Sequence, residues 1–286
     1  MAQNPSTVLH ASGLTAVIEP DPYQEGAFIL VVDGTPQSHV FVDDEGELFF
    51  EYVRRIGHVI DQIGMPGEPL TAVHLGAGAL TLPRYIAATR PGSRQQVIEL
   101  EADLVDFVRE NLPLPRHASI RIRYGDAREV MGKLPAGLLG TTDVVIVDVF
   151  SGARTPAHVT SVEFYREAAR LLSPRGVLIV NVADGPGLAF ARGQAATLQA
   201  VLPNVIALAD VQVLKGRRFG NVVLAASADS GIGEWLPRIL AGGPHPAKAV
   251  AGAELKQFVA NAPIVMDATA IPSPTPNKTL FQVSKK

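Results

Sequence analysis

The chain has 286 residues, 47% of them hydrophobic and 19% charged, with a formal net charge of -3. That length buries a sizeable core in one large domain, or one domain with a small annex, and the charge gives no reason to expect nucleic acid or an anionic membrane as a partner. With no cysteine in the sequence, disulfides, thiolate chemistry and cysteine-based zinc sites are excluded.

Residues 1 to about 12 read as a loose terminus. They carry neither the cationic nor the apolar stretch of a signal peptide, and no apolar run approaches the roughly 18 residues of a membrane span. A cytoplasmic protein without a membrane partner is therefore expected. From Leu14 to Phe41 the runs LTAVIEP, AFILVVDG and QSHVFVD alternate with Pro- and Gly-containing breaks, which predicts a small antiparallel sheet within residues 1–48. Phe49, Phe50, Val53, Ile56, Ile60 and Ile63 recur at near-helical spacing, predicting a helix from about Glu47 to Ile63.

From Leu70 the pattern alternates. Strands are predicted at Leu70–His74, Gln96–Leu100, Ile120–Tyr124, Asp143–Asp148 and Gly176–Asn181. Helices are predicted between them, at Leu80–Thr89, Ala102–Asn111, Ala127–Leu134 and Val162–Leu172. This alternation implies a parallel sheet covered on both faces. After a helix at Leu188–Leu202, strands at Asn204–Asp210 and Phe219–Ala226 are joined by a turn containing Lys215, Arg217 and Arg218, which predicts a closing antiparallel hairpin. The expected fold class is thus α/β: a methyltransferase-like Rossmann fold with a seven-stranded, mostly parallel sheet over residues 49–262, preceded by the small β domain. Short helices near Glu234–Leu240 and Ala253–Val259 and an extended or disordered tail over 263–286 complete the reading.

The candidate site lies at the strand ends, because open parallel sheets bind ligands beyond the carboxyl ends of their strands. Gly76 and Gly78 turn the chain from the first of these strands into a helix, a cradle suited to a nucleotide-bearing ligand. Thr81 stands where a full dinucleotide fingerprint carries a third glycine. Glu99 falls 21 residues after Gly78, where a carboxylate can grip ribose hydroxyls. Asp126 and Ala127 follow the third strand, where an aspartate can accept from an adenine amino group or simply cap the next helix. Asp148 ends the fourth strand and Asp184 lies just past the fifth. Glycines followed by acids closing successive strands point to a nucleoside site, with S-adenosylmethionine or a relative favoured over a dinucleotide. The histidines show no metal-ligand spacing, so no metal and no tightly bound cofactor is expected.

These residues carry a resemblance to the polyamine aminopropyltransferases, the spermidine synthase family. It covers roughly residues 28 to 226, through LVVDGTPQSHV, the stretch His74 to Arg84, VIELEA (Val97 to Ala102), YGDARE and VIVDVFSGARTPAHVTSVEFY. The pattern is most similar to the actinobacterial spermidine-synthase-like branch. The resemblance implies a β domain ahead of a methyltransferase-like Rossmann domain, a homodimer, and decarboxylated S-adenosylmethionine or methylthioadenosine as the bound nucleoside. It also implies that Gln37, Glu99 and Asp126 contact that nucleoside and that Asp148 faces the reacting centre. The sequence departs from the family in two places. The glycine loop has Gly78 or Ala79 where the family carries an acid, and Ser151 stands in place of the second aspartate of the gatekeeping loop, the residue that deprotonates the attacking amine. Arg154 and His158 follow in the same loop. Three readings stay open on sequence: an aminopropyl-type transferase with doubtful activity on putrescine, an S-adenosylmethionine-dependent small-molecule methyltransferase, and a non-catalytic nucleoside-binding dimer.

Overall fold

The computed structural model describes residues 4–152 and 154–275. Strands β1 (Ser6–Val8), β2 (Thr15–Pro20), β3 (Ala27–Val32) and β4 (Thr35–Phe41) form an antiparallel sheet in sequence order. Asp33 and Gly34 join β3 to β4 with φ of 47° and 75°, the left-handed pair of a tight hairpin turn. The alternate residues Ile18, Leu30 and Val40 are buried against Leu104, Phe107 and Val108 of the following unit. The first helix, α1, is shorter than expected, Glu51–Asp61. Phe49 lies outside it, 45% exposed, with its ring stacked on His39 at 4.2 Å.

The main unit runs β5 (Thr71–Leu75), α2 (Thr81–Thr89), β6 (Arg94–Glu99), α3 (Ala102–Asn111), β7 (Ser119–Tyr124), α4 (Ala127–Met131), β8 (Thr142–Val147), α5 (Val162–Ala169) and β9 (Leu172–Asp184). It continues with α6 (Ala189–Gln199), β10 (Asn204–Asp210), α7 (Val211–Leu214), β11 (Gly220–Ser227), α8 (Leu236–Gly242), β12 (Ala247–Val250) and α9 (Gly252–Val259). The strand order is β12-β10-β11-β9-β8-β5-β6-β7, parallel from β9 to β7 and antiparallel at the other edge. The sheet is apolar on both faces. Val145 and Val147 of β8 pack with Phe164 and Tyr165, while Val144 and Ile146 pack with Ile56 and Ile60 of α1. Such double-sided burial is what the near-continuous apolar strands require.

The α/β architecture is the expected one, with one strand more than the seven anticipated. β12 is only four residues, AKAV, and its backbone pairs with the free edge of β10. Nor is the β10–β11 link a bare hairpin turn. Asp210 accepts from the amides of Gln212 and Val213 and nucleates the single turn α7. Beyond α9 the tail is tied down as far as it is described. The amide of Val162 donates to the carbonyl of Val265 at 2.8 Å, Arg128 binds both carboxylate oxygens of Asp267, and Ser273 is fully buried. The rest of the expected tail, 276–286, lies outside the described residues. Among the described residues no helix is long and apolar enough to cross a membrane.

Candidate nucleoside site at the sheet switch point

The chain leaves β5 for β6 and β7 on one side, then returns to place β8 on the other. The crevice between the ends of β5 and β8 is therefore the switch point where such sheets bind ligands. Gly76 turns there with φ 93°, and its amide donates to the Ile98 carbonyl at 2.9 Å. A Cβ at Gly76 would run into the carbonyl of Asp148, and one at Gly78 (φ 49°) into the hydroxyl of Ser38. Both glycines are thus demanded by close approach. Ser38 Oγ accepts from the Ala79 amide at 3.0 Å and the Thr81 hydroxyl donates to the His39 carbonyl at 3.1 Å. Thr81, where a dinucleotide fingerprint carries a third glycine, latches the small sheet onto the start of α2.

Glu99 closes β6. Its Oε2 accepts from the Ala77 amide at 2.8 Å and its Oε1 from the Glu101 amide at 3.0 Å. Burial pushes its carboxyl up, against the pull of those amides. Each oxygen keeps a lone pair for a ligand hydroxyl.

Asp126 caps α4, accepting through Oδ1 from the amides of Arg128 (3.0 Å) and Glu129 (3.1 Å), while Oδ2 lies 2.7 Å from His158 Nε2. Burial alone would raise this carboxyl, but the Glu129 amide, His158 and the Arg128 amide outweigh it and hold it below the usual range. Capping and site-lining are thus both true of Asp126, and its free oxygen already has a partner in His158.

Asp148 follows β8 and keeps part of its surface open to the cavity. Its Oδ1 accepts from Asn181 Nδ2 at 2.8 Å, and Asn181 Oδ1 in turn accepts from Asn221 Nδ2 at 3.0 Å. This relay crosses β9 and β11 and fixes the carboxylate. Protein packed around it pushes the carboxyl up to about 6, although the Asn181 bond opposes the shift. Burial and the charge of Asp148 raise the Tyr52 hydroxyl well above its ordinary value.

Of the residues singled out from sequence, Gln37, Gly76, Gly78, Glu99, Asp126, Ala127, Asp148 and Ser151 border one cavity of about 280 Å³, as do Thr81 and His158. Gln37 reaches it from β4, its Nε2 donating to the Gly152 carbonyl at 3.3 Å. Asp184 is elsewhere, accepting from the amides of Gly185 and Ala191 at the start of α6. Arg154 turns away, donating to the Ser273 carbonyl at 2.6 Å. Sequence reasoning missed Tyr52, Glu101, Asn181 and Asn221. It also missed His74, which lies under the cavity, 2.8 Å from Gln95 Oε1, and is pushed down to about 4 by burial, hence neutral. Asn181 had a signal, a lone amide inside the apolar run GVLIVNVA. Among the described residues no group of three or more His, Asp or Glu could hold a metal ion.

No family model matches the chain. A polyamine aminopropyltransferase of Vibrio vulnificus (strain CMCP6) is 27% identical over 135 residues, 47% of this chain and 44% of that protein. A second, of Chromobacterium violaceum, is 25% identical over 152 residues, 51% of this chain and 54% of that protein. The chain spans about half the length of the curated relatives it matches. Among solved structures, a spermidine synthase in complex with the transition state analogue AdoDATO shares the fold, with a TM-score of 0.57 at 14% identity over 82% of this chain and 75% of that one. A probable spermidine synthase from Corynebacterium glutamicum ATCC 13032 is similar throughout, with a TM-score of 0.81 at 31% identity over 93% of this chain and 97% of that one. On a likeness of that breadth, the chain belongs to the polyamine aminopropyltransferase, or spermidine synthase, family.

Proposed function

We propose that the chain transfers an aminopropyl group from decarboxylated S-adenosylmethionine to an amine. One observation carries the choice of donor: the cavity lining holds four carboxylates, Glu99, Glu101, Asp126 and Asp148, and among the described residues no lysine or arginine. A decarboxylated donor brings a sulfonium and an ammonium, both matched by that charge. A carboxylated donor adds an anion that meets no lysine or arginine among the described lining residues, and His158 is already paired with Asp126 at 2.7 Å. The ribose hydroxyls would meet Glu99 and the base would lie toward Asp126 and His158, with Gln37 closing over the nucleoside.

The acceptor amine arrives protonated and becomes nucleophilic only when that proton leaves. Asp148 takes it: pushed up to about 6, the carboxylate is ionised at neutral pH yet more basic than an ordinary aspartate. The freed lone pair attacks the methylene next to sulfur, the carbon–sulfur bond breaks onto sulfur, and methylthioadenosine leaves. The direct test incubates the protein with decarboxylated S-adenosylmethionine and a panel of amines and measures methylthioadenosine together with the aminopropylated product. Methylated product from S-adenosylmethionine instead would establish the methyltransferase reading.

Glu99→Gln should weaken methylthioadenosine binding by about 1.5–3 kcal/mol, the loss of a charge-assisted hydrogen bond. Glutamine would also turn its NH₂ toward one of the two amides that Glu99 now accepts from. Calorimetry checks this, and unchanged affinity in both Glu99→Gln and Asp126→Asn would remove these residues from the nucleoside site.

The proposal includes a homodimer. Ile29 and Val31 remain half-exposed on β3, and β1 and β4 leave open edges on the small sheet, features commonly covered by a second copy. A sedimentation mass near 30.3 kDa at micromolar concentration would contradict it. A cytoplasmic location fits the cysteine-free chain, and recovery in the membrane fraction of lysed cells would contradict that.

A further inference from the structure

Resting on the aminopropyl-transfer reading, the geometry points to the acceptor: we infer that it is a primary monoamine with an apolar body, not a diamine. Three of the four cavity carboxylates belong to the nucleoside side. Glu99 and Asp126 are bound to backbone amides at the ends of β6 and β7, and Glu101 Oε2 accepts from the Ala11 amide at 3.2 Å. Asp148 alone is left beside the reacting carbon. The wall around it is apolar or neutral: Tyr52 and Val53 from α1, then Val149, Phe150 and Ser151 directly after Asp148.

Among the described residues no fifth acid lines the cavity. Glu45 lies 3.6 Å from the buried Arg84, Asp44 accepts from the Gly46 amide in its own turn, and Asp184 caps α6. An acceptor ammonium therefore finds one carboxylate, which removes its proton. A second ammonium on the same molecule would lie against Tyr52, Val53 and Phe150 without a counter-charge, where an unpaired ion is costly. An alkyl or aryl body in that place gains about 0.8 kcal/mol for each buried methylene. Among the described residues the polar groups of that wall, the Tyr52 and Ser151 hydroxyls and the Gln37 amide beside Gly152, carry no charge at neutral pH.

The experiment uses the full chain and two stages. Methylthioadenosine is titrated first, so that failure of the nucleoside reading is seen by itself: no binding would overturn that reading, and the acceptor inference with it. Then n-hexylamine, 2-phenylethylamine and putrescine are compared, by calorimetry on the methylthioadenosine-loaded protein and by kcat/KM with the decarboxylated donor. The monoamines are expected to exceed putrescine by about tenfold or more in both, the ratio for one lost ionic contact. Ser151→Asp, which adds a carboxylate to this wall, should move the ratio toward putrescine by about tenfold. Putrescine equal to or better than both monoamines in the wild type would overturn the inference, as would a ratio that Ser151→Asp leaves unmoved, or a loaded protein that neither binds nor aminopropylates any of the three.

Discussion

Asp148→Asn is expected to lower aminopropyl transfer by about 10²–10⁴-fold, the usual contribution of a positioned general base. The pH dependence gives the sharper signature. Burial raises this carboxyl to about 6, so below that pH it is protonated and cannot accept the amine proton. Activity should fall as pH drops through about 6 in the wild type, and this limb should vanish in the asparagine variant. Stability runs the opposite way. A carboxyl with its folded value above its unfolded value favours the native state only when protonated. The wild type therefore loses stability as pH rises from about 3.8 to about 6, and the neutral asparagine escapes that loss. The carbonyl oxygen of the substituted amide can still accept from Asn181, so the variant should melt no lower than the wild type at a pH of about 7.5. A variant that is inactive because it is unfolded would show the reverse, and retention of the wild-type rate would remove Asp148 from the chemistry.

Gly76→Ala should be the most damaging single-atom change in the site. The residue sits at φ 93°, and an added Cβ would meet the Asp148 carbonyl. The obstacle is backbone, held on one side by the Gly76 amide bond to Ile98 and on the other by the Asp148 amide bond to Leu75 at 2.9 Å. Neither strand end can yield without breaking the pairing of β5 with β6 or with β8. Left-handed strain of about 1–2 kcal/mol and overpacking of about 1–3 kcal/mol together give a loss of about 2–5 kcal/mol. Thermal unfolding checks this, at about 2–4 °C per kcal/mol for a chain of this size. A melting temperature within about 1 °C of the wild type would show that the crevice can open.

The strand ends were legible because apolar runs of five or six residues, broken by glycine or acid, leave few other arrangements. Gly76, Gly78, Glu99, Asp126 and Asp148 converge on one cavity for that reason: each closely follows or closes a parallel strand, and a parallel sheet aligns those ends. What the sequence concealed was pairing between distant side chains. His158 meets Asp126 across 32 positions and Asn181 meets Asp148 across 33, separations at which no local periodicity applies. Arg154 could be placed in the loop after Asp148 but not aimed, since its partner Ser273 lies 119 residues on. β12 was missed because four residues, two of them alanine and one lysine, carry no strand signal of their own after the turn at Pro244 and Pro246. The free edge of β10 makes them one.

The measurement that tests the nucleoside reading most directly is a side-by-side calorimetric titration of S-adenosylmethionine, its decarboxylated form and methylthioadenosine. A cavity lined by four carboxylates and, among the described residues, no lysine or arginine should bind the decarboxylated donor at least about tenfold more tightly than S-adenosylmethionine, a difference of about 1.4 kcal/mol. Tighter binding of the carboxylated molecule would contradict it and point to methyl transfer.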